Sequence, residues 1–241
     1  MNPPHGFLLG VQYYRPPFPR PPAWSQDLCR IRDAGFDAVV AWVVWGWCEP
    51  EPGVYAFDDY DRLFDLAHDR GLGVVLSVLP ELNPFWVPRV MPDAAMIDVH
   101  GRPVVCGPRL ECLSGLVPGG CSDHPGMRAR MERFLETCGA HFAHRPNLLA
   151  WDAWNENRWR NGVDESVCFC PHSLASFRAF LRQTYGTLEA LGEAWGRRCA
   201  SWDDVRVGPR QANCYPEQHD FTRWLCRRAQ EMARWRIEAI R

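Results

Sequence analysis

Apolar runs of strand length alternate with stripes of helical spacing along most of this chain. Phe7-Leu8-Leu9-Gly10-Val11 is a short run of strand type. After a proline-rich loop from Arg15 to Pro22, Ala23–Ala34 sets Trp24, Leu28 and Ile31 on one helical stripe, with Gly35 as the stop. Ala38–Val44 is unbroken apolar sequence rich in β-branched residues, as in a strand buried on both faces. Asp58 reads as the N-cap of a helix that carries Tyr60, Leu63, Phe64 and Ala67 and ends at Gly71. Gly73–Leu79 is a second buried-type strand. Gly126–His144 gathers Met127, Met131, Phe134, Leu135, Cys138 and Phe142 on one helical face, and Leu148–Trp154 is a fourth strand. Helices over Leu174–Tyr185, Leu188–Trp195 and roughly Gln218–Arg241 fill most of the remainder.

Strand followed by helix, repeated four times, predicts a parallel sheet with right-handed crossovers. An open doubly wound sheet and a (β/α) barrel both satisfy that order. No G-x-G-x-x-G follows the first strand, which disfavours a nucleotide-binding open sheet. The loops starting at Tyr13, Trp45, Pro80 and Asn155 leave the carboxyl ends of strands, where barrel active sites lie. The stretch from Pro80 to Pro125 has a length that usually serves function.

Composition narrows the classes further. With 46% hydrophobic and 23% charged residues, the 241-residue chain reads as a soluble globular protein. Its net charge of −2 gives no field of one sign toward nucleic acid or an anionic membrane. All 27 basic residues are arginine, so Schiff-base and Walker-A chemistry are excluded. The start, Met1-Asn2-Pro3-Pro4-His5-Gly6, does not resemble a signal peptide, and no apolar run is long enough to span a bilayer. The 11 cysteines are scattered rather than dense, so a reducing, cytoplasmic setting is expected, with free or metal-bound thiols. Cys29, Cys138 and Cys226 fall on helical patterns and read as core or incidental residues. His68, His100, His124, His141, His144 and His219 show no metal pattern and read as surface or helix-end residues. Arg223, Arg227, Arg228, Arg234 and Arg236 interleave with Trp224, Leu225, Met232 and Ile237, which favours a packing helix over an RNA-binding tail.

The densest chemistry is Trp151-Asp152-Ala153-Trp154-Asn155-Glu156-Asn157. It puts an Asn-Glu pair at the carboxyl end of a buried strand, between tryptophans. A carboxyl group beside aromatic rings is poorly solvated, which raises its pKa and suits it to general-acid work. The neighbouring amide can donate to a sugar 2-hydroxyl. The plainer alternative is a polar pair that starts a helix. The 12 tryptophans divide the same way, between core and a sugar-stacking cleft.

In order along the chain, these segments resemble the amino-terminal part of glycoside hydrolase family 42, the β-galactosidases. The resemblance rests on Gly10-Val11-Gln12-Tyr13-Tyr14, on Trp47-x-Glu49-Pro50-Glu51-Pro52-Gly53-x-Tyr55-x-Phe57-Asp58, and on Trp154-Asn155-Glu156. Cys168-Phe169-Cys170-Pro171-His172 and Tyr185-Gly186-Thr187-Leu188-Glu189-Ala190-Leu191 to Ala194-Trp195-Gly196 complete it. It implies a (β/α)8 TIM-type barrel, of which residues 1–241 hold only the first four or so β/α units, with no second domain. It implies a retaining β-glycosidase on terminal β-D-galactosides, with Glu156 as acid/base, Asn155 on the sugar and Arg109, three before Cys112, as a further substrate ligand. Arg109 equally reads as a surface arginine. The family's nucleophile is a glutamate on the seventh strand, and no later glutamate here follows a buried strand. The chain is therefore expected to be a fragment without its nucleophile, of doubtful activity alone.

Two departures touch the site. Arg15-Pro16-Pro17 follows the first strand's tyrosines, and the third-strand loop carries Glu81 where small or hydroxyl residues are expected. Glu81 and Trp86 are candidates for a sugar subsite, with a solvent-facing Glu81 as the alternative. Many family members also hold zinc with four cysteines. Here Cys168 and Cys170 fit, Cys121 or Cys112 is the upstream candidate, and Ser173 stands at the last position, for which His172 is the possible substitute. No cofactor is expected for catalysis, and self-association is left open because family members often form trimers. A non-catalytic carbohydrate-binding or relic half-barrel, and a hydrolase of β-glucosides, β-mannosides or α-L-arabinosides, are the competing functions.

Overall fold

A computed structural model of the chain describes residues 7–105, 117–155, 167–208 and 215–241. Strands β1 (Gly10–Tyr14), β2 (Ala38–Val44), β3 (Gly73–Leu79) and β4 (Leu148–Asp152) form one parallel sheet in the order β1-β2-β3-β4. The two central strands are buried almost throughout, as their largely apolar sequence predicts, whereas β1 and β4 are partly exposed edges.

Helices α1 (Pro21–Asp33), α3 (Asp58–Asp69) and α5 (Pro125–Phe142) are the crossovers. α1 and α3 both exit through glycine: Gly35 has φ 88° and Gly71 φ 67°, a region that side chains with a Cβ avoid. The N-cap of α3 is Phe57 rather than Asp58. Asp58, Asp59 and Asp61 instead occupy its first turn, where the helix dipole favours negative charge. Val39, Ala41 and Val43 of β2, with Val74, Leu76 and Val78 of β3, face these helices. Trp24, Leu63, Phe64, Phe134 and Phe142 close that layer.

The alternate residues of β2, Val40, Trp42 and Val44, face the other way. They pack under Leu79, Leu82, Met96, Val104, Cys121, Val167, Cys168 and Cys170. The segment from Pro80 to Pro125, expected to be irregular, contains a short helix α4 (Val87–Val90), a 3-10 turn (Pro92–Ala94) and isolated bridges such as Ala95 to Gly120. The four-residue helix α2 (Trp45–Cys48) is likewise too short to announce itself in the pattern.

After β4, α6 (Pro171–Tyr185), α7 (Leu188–Trp195) and the amino-terminal part of α8 (Tyr215–Ile240) build a third apolar cluster around Phe177, Leu181, Trp195, Phe221 and Trp224. The remainder of α8 returns to the main core through Met232 and Trp235. Its arginines act as packing and pairing groups: Arg228 and Arg236 are buried, Arg223 meets Asp220, and Arg227 meets Glu231 and Gln183. Of the helical cysteines, Cys138 is a core residue, and Cys29 and Cys226 are exposed and incidental. No helix among the described residues is long and apolar enough to cross a membrane.

Candidate active site and thiol cluster

The rim at the carboxyl ends of β2, β3 and β4 gathers carboxylates, each with a definite partner. Glu49 is buried, accepts from Trp45 Nε1 at 2.5 Å and from Gly53 N at 2.7 Å, and so closes the turn after α2. Asp152 accepts from Ser77 Oγ at 2.8 Å across the β3–β4 pair and from Trp154 N at 3.3 Å. Glu81 ion-pairs with Arg236, whose side chain is fully enclosed. Arg236 also donates to Ala153 O at 3.0 Å and lies 5.1 Å from the Trp154 ring centroid. Burial pulls the Arg236 guanidinium down to about 9. The peptide that leads into Asn155 is thereby tied to α8 and to the β3 loop.

Of the sequence candidates, Asn155 lies just beyond β4, half-buried, on this rim. Glu156, Arg109 and Cys112 lie outside the described residues. Trp86 is only 5% exposed: it packs edge-on to Trp45 at 6.1 Å and donates to Glu49 O at 2.9 Å, so its indole serves the core and not an open subsite. Glu81 faces Arg236 rather than solvent. A sequence reading of these two residues misses Arg236, which sits far along the chain in α8.

The structure brings Cys121, Cys168 and Cys170 together, fully buried, with their sulfurs within 4.8 Å of one another. Each sulfur receives a donor. Cys168 Sγ accepts from Ile97 N at 3.1 Å and Cys170 N at 3.3 Å, and Cys170 Sγ accepts from Ser173 N at 3.4 Å. Arg228 Nη2 reaches Cys121 Sγ at 3.5 Å. Hydrogen bonds from Cys121 and Cys168 pull the Cys170 thiol down, and the same bonding holds Cys168 up as its protonated partner. Ser173 Oγ occupies the fourth corner, 3.2 Å from Cys121 Sγ and 3.5 Å from Cys170 Sγ, and bonds Asp123 at 2.5 Å. Arg228 pairs with Asp123 at 2.7 Å. Burial raises the Asp123 carboxyl, against the pull of Arg228. Three buried sulfurs supply three of the four ligands that a cysteine zinc site needs, and the Ser173 hydroxyl at the fourth corner is not one of the usual zinc donors. His172, the proposed substitute ligand, is absent from this group and faces His124 and Asp93.

A family model described as beta-galactosidase, glycoside hydrolase family 42, matches residues 13–241. A beta-galactosidase of Thermus thermophilus is 28% identical over 244 residues, which covers 97% of this chain and 36% of that protein. Beta-galactosidase BgaA of a Thermus species is 30% identical over 190 residues, or 78% of this chain and 28% of the relative. The solved beta-galactosidase of Halorubrum lacusprofundi superposes with a TM-score of 0.79 at 26% identity, covering 98% of this chain and 35% of that one. The catalytic domain of a Paenibacillus polymyxa beta-amylase gives 0.77 at 14% identity, a likeness of fold alone. This chain spans about a third of the length of the beta-galactosidases it matches. Its four parallel β/α units are accordingly part of a (β/α) TIM-type barrel, and the chain belongs to glycoside hydrolase family 42, the beta-galactosidase family.

Proposed function

We propose that this chain is the acid/base-bearing portion of a retaining β-galactosidase. The observation that carries the reading is the placement of Trp154 and Asn155 on the carboxyl-end rim, directly ahead of Glu156, in a chain matched by the family model over residues 13–241. On this reading Glu156 protonates the leaving oxygen and then deprotonates the incoming water. Asn155 donates its amide to the sugar 2-hydroxyl, and Arg109 holds the galactosyl unit. The described rim carboxylates Glu49, Glu81 and Asp152 contact Trp45, Arg236 and Ser77, which supports a positioning role for them rather than that of the nucleophile. The nucleophile's role falls to a carboxylate roughly 5–5.5 Å from Glu156, supplied by the rest of the barrel.

Cys121, Cys168 and Cys170, with the Ser173–Asp123 corner, hold a structural zinc in this reading. When bound, zinc clamps the third-strand loop to the start of α6. It takes no part in bond cleavage. The substrate is an oligosaccharide or small galactoside.

Glu156→Gln, in a protein that carries the whole barrel, tests the assignment. Turnover of a galactoside with a poor leaving group should fall by about 10²–10⁴-fold. Turnover close to that of the unaltered enzyme would remove Glu156 from the role. A panel of aryl glycosides separates galactosidase from glucosidase, mannosidase and arabinosidase specificity.

A further inference from the structure

We propose that Asp93, His124 and His172 form a divalent transition-metal site distinct from the thiol cluster. The three ligands come from three elements: Asp93 from the 3-10 turn, His124 from the N-cap of α5 and His172 from the first turn of α6. One ligand atom of each lies within 4.8 Å of the other two. The imidazole rings meet edge to face with centroids 4.7 Å apart. Asp93 Oδ2 stands 3.3 Å from His124 Nε2. An ion with bonds of about 2.0–2.2 Å would draw the more distant of these atoms roughly an ångström closer.

The site is exposed at Asp93 and enclosed at His124, whose side chain is only 12% accessible. Its floor is shared with the thiol cluster. The segment that ends in His124 also supplies Cys121 and Asp123, and the one around His172 supplies Cys170 and Ser173, facing inward. Two short stretches thus present thiols on one side and imidazoles on the other.

Two imidazole nitrogens and one carboxylate oxygen suit zinc, cobalt, nickel or copper, whereas magnesium and calcium want all-oxygen shells. Three protein ligands leave the remaining positions to water. Two helix N-termini at the site oppose a cation, and the Asp93 carboxylate offsets them. His124 Nδ1 accepts from Met127 N at 3.1 Å, which leaves the ring proton on Nε2. Coordination through Nε2 moves that proton to Nδ1 and gives up the cap bond.

Titration of the purified protein with cobalt(II) separates the two sites. Thiolate ligands add an intense near-ultraviolet charge-transfer band, and nitrogen and oxygen ligands do not. The expected result is one equivalent bound without that band, weakened at least about tenfold in His172→Ala and in Asp93→Asn. His124→Asn gives a third check, because asparagine keeps a cap acceptor while removing the imidazole. Thermal melting of the metal-free variants shows that each is folded. No cobalt bound outside the thiolate band, or an equivalent unmoved by all three substitutions, would overturn the proposal.

Discussion

Arg236 illustrates at the residue scale what a fully enclosed cation requires. Its partners are the Glu81 carboxylate, the Ala153 carbonyl and the Trp154 ring, and removing it strands Glu81. Arg236→Met should cost about 3–5 kcal/mol in urea unfolding, and adding Glu81→Gln should recover part of it. A loss under about 1 kcal/mol would mean the pair does not anchor this rim. Asp98 is a second such point: it accepts from His100 N and Arg102 N, both at 2.9 Å, and from Arg102 Nε at 2.8 Å. Burial works against its charge, but these bonds prevail and hold the carboxyl below its usual range. A depressed folded pKa stabilises above the unfolded value, about 3.9, and that gain vanishes as pH falls through the folded value. Asp98→Ala should therefore cost about 1–3 kcal/mol near neutrality and progressively less in acid. A difference independent of pH would refute the ionic account. Trp154-Asn155-Glu156 stands out in the sequence as a candidate because it is contiguous. Glu81 with Arg236, and His124 with Asp93 and His172, do not, because residues distant in sequence meet only once the helices pack.

The elements most legible in the sequence are those whose burial is uniform. β2 and β3 match their predicted spans because both faces are covered and every position except Ser77 is a glycine or an apolar residue. β4 ends at Asp152, short of the predicted Trp154, because Asp152 turns its carboxylate to Ser77 and to the Trp154 amide. α5 and α8 pair tightly at Gly139, where an added Cβ would stand 2.2 Å from the Ile240 carbonyl oxygen. That neighbour is backbone and cannot rotate away. Gly139→Ala should cost about 1–3 kcal/mol and increase amide exchange in the last turn of α8. Unchanged stability and exchange would show that the two helices are not locked there.

For the whole molecule, the open feature is the sheet's two outer strands. β1 and β4 each pair on one side only among the described residues, and Phe7, Leu8 and Leu9 before β1 are exposed. Unpaired parallel edges beside apolar surface favour association. The 241-residue chain produced alone should be oligomeric or aggregating in light scattering. A monodisperse, cooperatively melting monomer would contradict that expectation. The central claim is that Glu156 works with a nucleophile supplied from outside residues 1–241. A 2-deoxy-2-fluoro-β-galactoside with a good leaving group tests it most directly, in the protein as its cell makes it. The fluorine slows breakdown of the glycosyl-enzyme ester, so peptide mass mapping can find the labelled carboxylate. The account predicts a label on a glutamate outside residues 1–241. A label on a carboxylate within them, or no covalent adduct at all, would contradict it.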